Sequence, residues 1–85
     1  MTRLAKLHAH LLANRQLRIA FRDFERLLLA FGFVLARQSG SHRVYVHPRC
    51  SRPMVVQPKG GDAAPYQARQ FLDMIEEYGL TMDDR

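Results

Sequence analysis

Gly32 and Gly79 each follow an apolar stripe at helical spacing and each precede a large apolar residue, Phe33 and Leu80. That is the pattern of a helix closed by a left-handed glycine, with the next apolar side chain folding back on the last turn. Phe24, Leu27, Leu28 and Phe31 form the first stripe and predict a helix over Arg22–Phe31. Ala68, Phe71, Leu72 and Ile75 form the second, in a helix that starts near Pro65, a residue suited to a first helical position. Between the two closures the period changes. Phe33 to Gln38, His42 to His47 and Met54 to Gln57 read as short strands, the second rich in Val44, Tyr45 and Val46. The cluster Ser39-Gly40-Ser41 marks a turn, and Pro48 and Pro58 end the second and third strands because proline cannot continue a ladder. Arg49 to Pro53 reads as a loop and Lys59 to Asp62 as a mobile connection.

A further stripe precedes these elements. Leu4, Leu7, His8, Leu11 and Leu12 predict a helix over Thr2–Ala13 with Thr2 as its N-cap, and Asn14 to Ile19 then breaks the pattern. The order is α-α-β-β-β-α. Strands joined by short connections form an antiparallel meander with helices on one face, so an α+β fold with a three-stranded antiparallel sheet is expected. Eighty-five residues allow one domain, with residues 1–20 as an added helix and connection and residues 21–80 as the core. Thr81 to Arg85 reads as a frayed tail.

Charge narrows the partners. The chain carries a net +5, and eleven Lys and Arg against two acids fall within residues 1–60, whereas residues 61–85 hold two against six. Most of these cations are Arg, whose planar fork matches phosphate. A basic face on a small domain attracts nucleic acid through counterion release; the plainer reading is a charge that keeps a small protein in solution. No apolar run reaches bilayer length, and His8, His10 and Asn14 interrupt any secretory-type stretch. The single Cys50 makes no internal disulfide. The expected compartment is the cytoplasm.

The histidines differ in what their positions permit. His8 and His10, two apart on a helix, point in different directions, and His8 lies by the apolar stripe as a packing residue. His42 and His47, five apart on one strand, fall on opposite faces, and no Cys or carboxylate nearby completes a metal site, so none is expected. His42 stands at the mouth of a hairpin beside Arg43. An imidazole there can take and give a proton near neutrality, while Arg43 could hold phosphate. RNA brings its own nucleophile, the 2′-hydroxyl, so a base and a cationic clamp can suffice without metal. The ordinary reading of a histidine at a strand edge is a surface residue. Asp73, Glu76 and Glu77 fall on the outer side of the last helix, and no Gly-rich phosphate loop or serine elbow is present. The four phenylalanines of the core stripes are poorly placed to stack on bases, and Tyr45 could face either way.

Gly40-Ser41-His42-Arg43-Val44-Tyr45-Val46-His47-Pro48 resembles the HicA family of bacterial toxins, with its Gly-Ser-His turn, an aromatic three residues on, and a His-Pro close. Ala30-Phe31-Gly32-Phe33 looks like the end of that family's first core helix, and Pro65 to Leu72 like a variant of its last helix. The likeness runs from about Phe21 to Leu80. It implies a fold like a double-stranded-RNA-binding domain, with an added N-terminal helix here. It also implies a cofactor-free endoribonuclease that cuts messenger RNA and is neutralised by a HicB-like antitoxin. The catalytic role carries over to His42, with RNA contacts expected from Arg37, Ser41, Arg43 and Lys59. Two departures stand out. Many members have a second histidine where this chain reads Gln57-Pro58-Lys59-Gly60-Gly61, and lysines common near Asp62 to Ala64 are missing. The helix at Thr2–Ala13 is extra to the minimal fold and would pack on the core, contact a partner or meet a second copy. The alternative function is a non-catalytic basic RNA-binding module, whose affinity would survive loss of His42. A third is a protein-binding module whose basic face meets an acidic partner.

Overall fold

The computed structural model describes residues 3–14 and 17–82. Its elements are α1 (Arg3–Ala13), β1 (Ile19–Ala20), α2 (Phe21–Ala30), β2 (Val34–Ser39), β3 (His42–Val46), β4 (Met54–Val56), β5 (Asp62–Ala63) and α3 (Pro65–Tyr78). The expected N-cap, Thr2, lies outside the described residues, as does the end of the tail.

The three-stranded sheet has the order β2-β3-β4, all antiparallel, beside the helices of an α+β fold. Tyr45 pairs with Met54 and Arg43 with Val56. Tyr45, Met54 and Val56 are buried on this inner face and share one core with Phe24, Leu27 and Leu28 of α2 and Phe71, Leu72 and Ile75 of α3. Because strand side chains alternate, His42, Val44, Val46 and Val55 face the other way. The extra helix α1 joins the same core through fully buried Leu11, and His8 meets the Phe31 ring edge-on at 5.0 Å. Leu12, read as part of the buried stripe, is instead about half exposed. One helix face needs only the narrower row Leu4, Leu7, His8 and Leu11 to reach the core.

Both helix closures form as their glycines require. Gly32 has φ +95°, its N–H donates to Leu29 O, and the Phe33 N–H donates back to Leu28 O at 3.0 Å. Gly79 has φ +64°, and the Leu80 N–H donates to Ile75 O at 2.9 Å. Gly32 serves packing as well. A Cβ there would lie 2.9 Å from Nε2 of His47. That nitrogen donates to Phe31 O at 2.9 Å while Nδ1 accepts the Arg49 N–H at 3.0 Å. His47 is therefore a strut between the end of α2 and the end of β3. We expect Gly32→Ala to cost roughly 2 kcal/mol, from the left-handed backbone and the displaced imidazole together. Chemical denaturation would measure it, and a cost near zero would show that His47 moves aside freely.

The connection read as mobile is a tight hairpin. Lys59 N–H donates to Asp62 O at 2.8 Å and Asp62 N–H to Lys59 O at 3.2 Å. Gly60 and Gly61 both have positive φ between them, as a two-residue turn of the I′ type needs. The same hairpin supplies β5, which pairs with β1. Gly61 O also accepts the N–H of Phe21, the first residue of α2, which has no side-chain cap.

Candidate active site

Ser39 pairs with His42, so Gly40 and Ser41 form a two-residue hairpin turn between β2 and β3. Positive φ falls on Gly40 and not on Ser41, the pattern of a II′ turn, whose twist matches the flanking strands. This turn presents His42 at the tip of the sheet. His42 is exposed, and among the described residues no hydrogen bond or ion pair fixes its ring.

A β-bulge decides what shares its face. Leu35 pairs with Tyr45 and Arg37 with Val44, which leaves Ala36 as the extra residue. Simple alternation would put Arg37 on the face of Leu35. The bulge moves it to the face of Val44, diagonal to His42, where the two side chains lie within reach of one ligand. β2 is exposed along its whole length, so nothing covers Arg37. The outer face thus carries Arg37, Ser39 and His42 beside a row of exposed valines, Val34, Val46 and Val55.

Arg43, adjacent to His42 in sequence, points to the opposite face, as neighbours on a strand must. Its Nη1 donates to Oε1 of Glu25 at 2.9 Å, and its guanidinium lies over the Phe21 ring at 5.1 Å. The Tyr45 hydroxyl donates to the other oxygen of Glu25 at 2.7 Å. Glu25 therefore settles the orientation that the sequence left open for Tyr45. One carboxylate on α2 binds two inward residues of β3 and docks the helix on the sheet. Burial, and then the bond to Glu25, push the Tyr45 phenol up to about 12. The unfolded phenol ionises near pH 10, so this group's contribution is intact below pH 10 and is lost as pH climbs through 12. The loss is at most roughly 3 kcal/mol, and Tyr45→Phe should flatten that part of the stability curve in denaturation measured from pH 9 upward.

The remaining candidates gather at the same end. Val56 pairs with Arg43, so Gln57 leaves the sheet beside His42 and leads into the Lys59–Asp62 hairpin. Gln57 Oε1 is buried without a hydrogen-bond partner, whereas Lys59 and Ser41 are exposed. Phe21 ties the first turn of α2 to this end through Gly61 and Arg43. His42, Arg37, Ser41 and Lys59 thus surround one exposed end of the sheet, while Arg43 faces inward behind them. Sequence reasoning missed Glu25 as the residue that holds Arg43; its signal was its being one of two acids among the many cations of the first sixty residues. Among the described residues no group of three His, Cys, Asp or Glu side chains is placed to share a metal ion, and no helix is long and apolar enough to cross a membrane.

No curated protein and no solved structure matches the chain. The family model described as the HicA toxin of bacterial toxin-antitoxin systems matches residues 21–80, from the first residue of α2 to the leucine that closes α3. That span holds the hairpin of His42, the sheet and both glycine closures, and the protein belongs to the HicA family, the toxins of toxin–antitoxin systems, which have a cognate antitoxin as partner.

Proposed function

We propose that this chain is a metal-independent endoribonuclease that cleaves messenger RNA and is held inactive by a HicB-like antitoxin. The observation that carries the reading is the exposed imidazole of His42 on one sheet face with Arg37, at the end where Ser41 and Lys59 also reach solvent. His42 takes the proton of a 2′-hydroxyl, and the freed oxygen attacks the adjacent phosphorus. The 5′-oxygen leaves with a proton returned by the imidazolium or by water. The products are a 2′,3′-cyclic phosphate and a 5′-hydroxyl. Arg37 stabilises the charge that builds on the phosphoryl oxygens. Lys59 and Ser41 bind the flanking backbone. Arg43 contributes by holding its strand to α2 through Glu25.

Incubating the purified protein with messenger RNA in excess chelator tests the chemistry. Cleavage should persist and leave 5′-hydroxyl ends that accept a labelled phosphate directly. A requirement for a divalent metal, or 5′-phosphate ends, would sink the mechanism. RNA that is bound but left intact would favour the non-catalytic RNA-binding module, consistent with a His42 ring that no second imidazole accompanies.

A further inference from the structure

The helix α1 lies outside the residues matched by the family model. Its inward stripe, Leu4, Leu7, His8 and Leu11, joins the core. Arg3, Lys6 and His10 occupy a second stripe at i, i+3 and i+7, and all three are exposed. With Leu7 and Asp23 they line an open groove of about 440 Å³ between α1 and α2. Asp23, mostly covered, holds Arg3 at 3.4 Å and Arg26 at 3.7 Å. Each guanidinium keeps most of its surface in solvent, so it retains N–H donors for a ligand. The one acid of the groove thus fixes two cations in place, and Lys6 carries a further charge.

We propose that this groove binds the phosphodiester backbone of the RNA beyond the cleavage site, a proposal that rests on the RNA-directed reading above. Seven residues of helix separate Arg3 from His10, about 10 Å along the axis, enough to meet consecutive phosphates. Its lining holds no aromatic side chain and one aliphatic one, Leu7, against the cations Arg3 and Lys6 and the imidazole of His10, which favours a phosphate backbone over the aromatic anchors of a protein interface. Its α2 side begins at the end of the sheet that carries His42. Asp23 sits in the first turn of α2, and Phe21, two residues earlier, lies under Arg43, the neighbour of His42. A strand leaving the hairpin tip can therefore pass the first turn of α2 into the groove.

Binding of labelled single-stranded RNA to the His42→Ala chain, followed by anisotropy across a salt series, tests this apart from catalysis. Removing two phosphate contacts in Arg3→Ala/Lys6→Ala should lower the slope of log affinity against log salt by about 1.4 and weaken binding at low salt at least ~10-fold. Lys6→Glu should weaken it further than Lys6→Ala. Arg52→Ala is the control. It removes one charge, as Lys6→Ala does, at the far end of the sheet, where Arg52 is paired with Glu77, and should change affinity less than ~2-fold. Equal effects of Arg52→Ala and the groove variants, or an unchanged slope in the double variant, would overturn the proposal. So would unchanged RNA affinity with a lost complex to an acidic protein, which would make the groove a protein face. Failure of the nuclease reading would appear separately, as intact RNA with His42 in place.

Discussion

His42→Ala should abolish growth arrest on induced expression and slow cleavage of messenger RNA by about 10²–10⁴, the range that a positioned proton-transfer group supplies. The side chain is exposed and makes no bond that the fold needs, so the variant should melt with the parent. That separates it from Arg43→Ala, which would also lower activity in cells but for another reason. Loss of Arg43 leaves Glu25, about a fifth exposed, with only the Tyr45 hydroxyl, and the docking of α2 weakens. Arg37→Ala gives a third signature, a normal melt with weakened RNA binding, because the bulge leaves its side chain uncovered. Growth, RNA integrity and melting temperature at matched protein levels tell the three apart. If His42→Ala arrests growth as the parent does, with both proteins folded and abundant, His42 is not the catalyst.

The sites of these three residues differ in how far they can be read from sequence. His42 is legible because a Gly-Ser turn ahead of a β-rich run fixes where the hairpin tip must be. Arg37 is harder. Its face depends on an extra residue opposite Val44, and nothing in Val34 to Ser39 marks Ala36 as that residue. The placement of Arg43 follows from alternation alone, so pairing it with His42 as a phosphate clamp overlooks the period of two. The helix closures are written in local chemistry, a glycine and the apolar residue after it, and both form. The β1–β5 pair is two residues long on each side and too short to show a pattern. Its signal lies in Gly60-Gly61, a pair suited to a tight hairpin and easily mistaken for a loose loop. Leu12 shows the converse error: an apolar residue at the right spacing still stays in solvent when the neighbouring helix covers a narrower face.

Phe71→Ala should have the largest effect on stability, about 3–5 kcal/mol. Its ring is fully buried on α3 and meets three others: Phe24 at 5.7 Å and Phe31 at 5.3 Å, both edge-on, and Phe33 at 6.3 Å. Phe24 belongs to α2, and Phe31 and Phe33 flank the glycine that closes it, so a single side chain joins α3 to α2 and to the entry of β2. Truncation removes the buried apolar area and leaves a cavity among rings that cannot collapse without shifting a helix. A chain of this size has a total stability on the order of 5–10 kcal/mol, so the variant would keep only a fraction of it. Its melting temperature should fall by roughly 15–30 °C. Phe71→Leu, which fills most of the volume, should cost about 1–2 kcal/mol. Activity provides the cross-check. Phe71 lies away from the hairpin tip, so Phe71→Ala should lose activity in step with its unfolded fraction and regain it on cooling, with cleavage per folded molecule unchanged, whereas His42→Ala stays inactive at every temperature. A cost below ~1 kcal/mol for Phe71→Ala would mean that the aromatic cluster repacks around the gap, and that α3 is held mainly by Leu72, Met74 and Ile75 instead.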